Sequence, residues 1–236
     1  MASIEIDLEA LPATEPTDGK TRLILAGEQL FAENGINGAS MREIATKAGQ
    51  GNHAAVQYHF GSREGLVRAI FDYRMEQMEA ERGAMLERAR AMDRLKDART
   101  ILDIILLPQL DLHDADGNHS YASFLSQYLL QSRSPEFGDF SGSEPPHLTE
   151  ALRLMRERVD YLPPYVAQRR LISISLMFLN ILMRHHGTDE AAFGESFPDA
   201  LEDTMEQIVS SMCMPLRLLK HGFEIGGPRD ISRAWG

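Results

Sequence analysis

Residues 40–66 read SMREIATKAGQGNHAAVQYHFGSREGL, and their pattern predicts two short helices joined by a glycine turn. Ser40 followed by Glu43 three positions later is a capping box that opens the first helix. Ile44, Ala45 and Ala48 then share one face, and Gly49 stops the helix. A second short segment, from about Asn52 to Tyr58, exposes Asn52, His53 and Gln57, while Ala55, Val56 and Phe60 supply apolar contacts. A helix, a glycine turn and a polar-faced helix form the geometry that places side chains in a DNA major groove.

Upstream, residues 21–31 carry Leu23, Ile24, Ala26, Gly27, Leu30 and Phe31 at helical spacing and end at Asn34-Gly35. Three helices on one small core would bury Leu30, Phe31, Ile44, Ala45, Val56 and Phe60. Downstream, a fourth helix is expected to begin at Ser62 and run through Leu66, Ile70 and Tyr73 toward Met85 or beyond. LKDARTILDIILLPQL is helical up to Pro108, and NHSYASFLSQYLLQ presents Tyr121, Phe124, Leu125, Tyr128 and Leu129 on a broad apolar face. SPEFGDFSGSEPP is a loop by composition. Pro146 opens the next helix, and Pro163-Pro164 ends it and starts another. That last helix, YVAQRRLISISLMFLNILMRHHG, is apolar nearly all round from Leu171 to Met183 and must be covered on every side. Pro198 to Met214 forms the final long helix. The expected fold is all-α with about nine or ten helices. Residues 1–18 form a flexible arm, 19–64 a helix-turn-helix head, 65–214 a larger helical body and 215–236 a tail.

The chain's 236 residues, 43% of them apolar, suffice for a small head and a sizeable second core. Its net charge of −11 is unevenly spread. Residues 20–74 hold seven basic and five acidic residues, whereas 1–19 carry five acidic residues and no basic one. The only net-positive region is therefore the segment with the helix-turn-helix pattern, where phosphate attraction requires it. The lone Cys213 rules out an internal disulfide and suits a reducing cytoplasm. The acidic N-terminal residues lack the layout of a signal peptide, and no run of eighteen apolar residues predicts a membrane span. No metal site is expected, because the His and Cys residues lack paired ligand spacing.

LFAENGINGASMREIATKAG (30–49) followed by VQYHFGSREGLVRAI (56–70) resembles the N-terminal domain of the tetracycline-repressor (TetR) family of regulators. The resemblance spans residues 20–75. It rests jointly on the glycine-turned helix pair, the aromatic-His-Phe end of the recognition helix and the Ser-basic start of the fourth helix. One departure stands out: AGQGNHAAVQYHF (48–60) is one residue longer than the family's usual AGVSKGTLYHHF-like link, with Gly51 and Asn52 where a capping serine is usual. That extra residue is expected in the turn, where it bears on the register of base contacts by one position. The resemblance implies contact with phosphates or bases by Ser40, Arg42, His53, Ala55, Gln57, Tyr58, His59 and Arg63. The exposed amide of Asn52 joins them, since Asn and Gln pair bidentately with adenine. Ala55 offers only a methyl for thymine. Tyr58 either belongs to the small core or reaches outward, Arg63 is either a phosphate contact or a solvated charge, and Ser40 is either a phosphate contact or only a cap.

The resemblance further implies a homodimer on double-stranded DNA with a palindromic operator, released by a small apolar or amphipathic effector. Candidate pocket liners are Met78, Leu106, Phe124, Tyr128, Met155, Met177 and Asn180, the alternative for each being ordinary core packing. Ile174, Phe178, Ile181, Leu201, Met205, Ile208 and Met212 are the expected dimer interface, a four-helix bundle about a twofold axis. The alternative there is one large monomeric core. No catalytic constellation is evident: GQG (49–51) lacks a phosphate-loop lysine, so neither an enzyme nor a cofactor is expected. A ligand-independent DNA-binding or partner-binding helical dimer is the remaining alternative.

Overall fold

The computed structural model describes residues 18–52, 54–114, 117–131, 145–184 and 194–216. Among these, all regular structure is helical: α1 (Gly19–Asn34), α2 (Met41–Lys47), α3 (Ala55–Phe60), α4 (Arg63–Ala91), α5 (Ala98–Leu106), a 3-10 turn (Leu107–Asp111), α6 (Ser120–Gln131), α7 (Pro146–Arg158), α8 (Pro164–Arg184) and α9 (Phe197–Cys213). The helix boundaries fall where local chemistry sets them. Asp18, expected in the arm, is instead the N-cap of α1, its carboxylate accepting the Lys20 and Thr21 amides. Residues 1–17 and 217–236, and most of the loop read from SPEFGDFSGSEPP, lie outside the described residues.

Helices α1 and α3 pack on α4, and α2 packs on α1 and α3. In their core Leu23, Phe31, Ile44, Ala45, Val56 and Leu66 are at most 1% exposed, while Leu30 and Phe60 are only half-buried. The 29-residue α4 runs about 44 Å at 1.5 Å per residue. It therefore continues from the head into the body, where α5 and α7 pack against it. The head is also held from the side, because α1 packs along α6. Phe31 of α1 stacks on Phe124 of α6 at 6.1 Å, and Phe124 meets Phe71 of α4 at 5.0 Å.

In the body, α8 lies between α6 and α9. By length and composition α8 is apolar enough to cross a membrane, yet it is a packed helix, with Leu171, Ile174, Phe178, Leu179 and Leu182 at most 1% exposed. This burial corrects the expected dimer interface. Ile174, Phe178, Met205, Ile208 and Met212 are at most 1% exposed and Leu201 is 9% exposed, all within a single chain. Such residues have no surface left for a partner, so they are core. The uncovered arc of α8 is the opposite one: Arg169, Ser173 and Asn180 are exposed there with Tyr165 and Met183, flanked by half-buried Ile172, Leu176 and Met177. Ile181 is half-buried at the edge between the two arcs.

Candidate nucleic-acid interface

The turn between α2 and α3 is built by two backbone devices. Gly49 adopts φ +67°, a left-handed conformation that glycine takes without strain, and lets the Gln50 amide bond back to Ala45. Asn52 then turns the chain into α3, its side-chain oxygen accepting the Ala54 amide at 2.9 Å while its carbonyl accepts the Ala55 amide at 3.0 Å. Asn52 thus precedes the recognition helix, which spans residues 55–60 rather than the expected 52–58. The chain between Lys47 and Ala55 connects the two helices.

The far end of α3 is set by the close approach of α4. A Cβ on Gly65 would stand 1.9 Å from the Phe60 carbonyl oxygen, so only glycine permits that junction. Ser62 caps α4, its hydroxyl accepting the Gly65 amide at 3.1 Å. With both ends fixed, Ala55 (6% exposed) and Val56 (1%) anchor α3 inward, and Gln57, Tyr58 and His59 point to solvent.

Each expected contact residue can now be placed. Gln57, Tyr58 and His59 share the outer face of α3, and Tyr58, 83% exposed, stands edge-on to the His59 ring at 5.0 Å. Tyr58 therefore reaches outward instead of filling the core. Asn52 is exposed beside the start of α3, and His53 lies outside the described residues. Arg42 is exposed on α2. Ser40 is exposed and forms the full capping box, its hydroxyl accepting the Glu43 amide at 3.2 Å and its own amide donating to the Glu43 carboxylate at 3.1 Å.

Two expectations are corrected. Ala55 is buried, so its methyl packs in the core and does not meet a thymine. Arg63 turns inward: its guanidinium donates to the Ala39 carbonyl at 2.7 Å and to the Ile36 carbonyl, and lies over the Phe31 ring at 5.8 Å. It ties down the loop that presents α2 instead of reaching a phosphate. Lys20, Arg22, Lys47 and Arg68 are exposed cations on the same head, Lys47 sharing its charge with Glu33 at 3.4 Å.

The expected pocket liners do not share one place. Met78, Leu106 and Met155, at most 2% exposed, come from α4, α5 and α7, which pack on one another. Phe124 and Tyr128 instead belong to the aromatic contact with α1 and α4, Tyr128 meeting Phe71 at 4.8 Å. Met177 is half-buried on α8. Asn180 is exposed, which corrects the expectation that it lines an interior pocket.

Sequence reasoning missed a buried polar seam between head and body. Glu28 of α1 is 0% exposed and receives Arg74 of α4 through both oxygens, at 2.6 and 2.8 Å. Ser120, at the start of α6, also donates to it. Burial opposes the Arg74 charge, but the hydrogen bonds and charge of Glu28 more than offset this and hold the guanidinium above its ordinary range. A readable signal existed: Glu28 shares a helix face with Ile24 and Phe31, four residues before and three after it.

Residues 23–70 match the family model described as bacterial regulatory proteins, tetR family. No curated protein matches the chain. Among solved structures, one from work on control of antibiotic production by bacterial hormones is 19% identical, covering 83% of this chain and 98% of that one with a TM-score of 0.44. Another is NalD, the secondary repressor of the MexAB-OprM multidrug efflux pump in Pseudomonas aeruginosa, 20% identical over 82% of this chain and 95% of that one with a TM-score of 0.43.

Proposed function

We propose that this chain, whose residues 23–70 match the model of bacterial regulatory proteins of the tetR family, is a transcriptional regulator: a cytoplasmic homodimeric repressor that reads a palindromic operator and is released by a small molecule. Residues 19–64 act as the reading head and 65–214 as the regulatory body. The observation that carries the reading is the outward set Gln57, Tyr58 and His59 on a helix whose other face is pinned by Ala55 and Val56. Gln57 supplies an amide suited to adenine, and Tyr58 and His59 supply donors for bases or phosphates. Arg42 and the amides of the α2 first turn, beside Ser40, suit the sugar-phosphate backbone.

Two heads must sit on one twofold axis to read a palindrome. The uncovered arc of α8 around Ile172, Leu176 and Asn180 supports self-association there, since partly exposed apolar residues in one stripe favour a covering partner. The effector would act from the body through α4, by binding the DNA-competent and DNA-released arrangements with different affinity.

The test is a fluorescence-anisotropy titration of the full chain on duplexes taken from upstream of its own coding region, over a range of salt. A two-site palindromic duplex should bind far more tightly than a scrambled one, with affinity falling steeply as salt rises. Equal binding to both duplexes at every salt concentration would sink the reading.

A further inference from the structure

Along α4, Phe71, Met75, Met78, Arg82 and Leu86 follow one another at three- to four-residue spacing, and all five are buried. Arg82 is the one charged member of this apolar stripe, and it is 2% exposed. Its partners are poor. The guanidinium meets two thioethers, Met75 Sδ at 3.7 Å and Met78 Sδ at 3.4 Å, which are weak acceptors. Its one carboxylate contact among the described residues is Glu79 at 3.4 Å, and that group is committed elsewhere. Glu79 accepts the His147 amide at 2.9 Å and the Leu148 amide at 3.3 Å, holding the first turn of α7. The Nε of Arg82 has no hydrogen-bond partner among the described residues.

Tyr121 of α6 adds a second such group. It is 1% exposed, its hydroxyl also lacks a partner among the described residues, and its ring meets Phe71, on the same α4 stripe, edge-on at 6.4 Å. Burial pushes the phenol up, so at neutral pH it remains a neutral donor. For Arg82 burial prevails over Tyr121 and Glu79 and draws the guanidinium below its ordinary range. Arg74, eight residues earlier on the same helix, shows the contrast: there the fold meets a buried guanidinium with a bidentate carboxylate. At Arg82 no described residue supplies such a carboxylate.

We propose that Arg82 and Tyr121 form the polar anchor of the effector site, and that the effector is a monocarboxylate on an apolar body. This inference rests on the effector-released regulator proposed above and names its ligand class. A carboxylate matches the planar fork of a guanidinium, accepting from Nε–H and an Nη–H in parallel while the Tyr121 hydroxyl donates to the same oxygens. One guanidinium neutralises one negative charge, so a dianionic head would leave charge buried and unpaired. An apolar body follows from the lining, because Met75 and Met78 are unbranched and can shift to admit a hydrocarbon.

The test uses the full chain without DNA, so a protein that ignored DNA would leave the readout intact, and failure here would leave the DNA reading standing. Thermal unfolding and calorimetry are run with octanoate, and with octan-1-ol and octylamine as neutral and cationic matches. Octanoate should raise the unfolding temperature in a concentration-dependent way, and the other two should not. Arg82→Met should unfold close to the wild-type temperature, because an apolar side chain replaces a poorly paired buried charge while Glu79 keeps the His147 and Leu148 amides as partners. It should bind octanoate about tenfold more weakly or worse, with Tyr121→Phe intermediate. Arg82→Lys keeps the charge without the fork and should also lose binding, which covers the case of a Met variant that does not fold. Octan-1-ol matching octanoate, no response to octanoate, or octanoate binding unchanged in the Arg82 variants would overturn the proposal.

Discussion

Gln57 faces outward because its neighbours Ala55 and Val56 cannot leave the core without opening a cavity under α3. Replacing it with Ala should relax base preference at one position per half-site by about 1–3 kcal/mol, with little change in unfolding temperature. Competition titrations against single-base operator variants read this directly, and an unchanged preference would shift base reading to Asn52 or His59. Arg63 predicts the opposite signature. Its loss orphans the Ile36 and Ala39 carbonyls, so Arg63→Ala should destabilise the chain by about 1–3 kcal/mol. Denaturant unfolding measures this, and a variant of wild-type stability with weakened DNA binding would restore the phosphate contact that the geometry denies.

Asp97 supplies a pH signature at the same level. It caps α5, accepting the Thr100 amide at 2.9 Å and hydroxyl at 2.7 Å, with Arg94 at 3.1 Å. Burial raises its pKa, but these partners prevail and hold the carboxyl below its usual range. A depressed carboxylate contributes stability above its unfolded pKa, about 3.9, and loses it as pH falls through the folded value. Asp97→Asn can still cap the helix but does not titrate, so the wild-type advantage over it should be constant near neutrality and begin to shrink below about pH 4, disappearing only beneath the folded value. Unfolding temperatures of both chains across pH 3–7 would show it, and parallel curves would contradict it.

Helix α8 separates two roles that its composition blurs. Its inner arc is core, so Phe178→Ala should cost about 3–5 kcal/mol of stability whatever the oligomeric state. Its outer arc is the proposed seam between protomers, and Leu176→Glu should dissociate the dimer while leaving the protomer folded. Sedimentation velocity with circular dichroism distinguishes the two variants. A Leu176→Glu chain that sediments like wild type would remove α8 from the interface.

Across the whole molecule, head and body are joined by a shared helix, an aromatic stack and a buried ion pair. Helix α4 runs unbroken from the head into the body and α1 packs along α6, so two helices link the head to the body. The Glu28–Arg74–Ser120 seam sits at that junction. Arg74→Met strands the buried carboxylate and should cost about 3–5 kcal/mol, whereas adding Glu28→Leu should recover most of that loss. A double-mutant cycle on unfolding free energy checks it; additive losses would mean that the pair is not coupled.

The helix-turn-helix was legible because its signals are local. A Ser-x-x-Glu cap, a turn glycine and a short apolar period act within four residues of one another, so the order of residues suffices. The same holds for the proline starts of α7 and α8. Which arc of α8 turns inward was not legible, since a helix apolar all round carries no phase for its neighbours to be inferred from. Nor were the destinations of Arg63, Arg74 and Arg82. Arg63 was expected at a phosphate or in solvent, and nothing local marks Arg74 or Arg82 for burial; packing took one to loop carbonyls, one to Glu28 and one into an apolar stripe. Long flexible side chains choose their partners across the sequence, so only the assembled helices assign them.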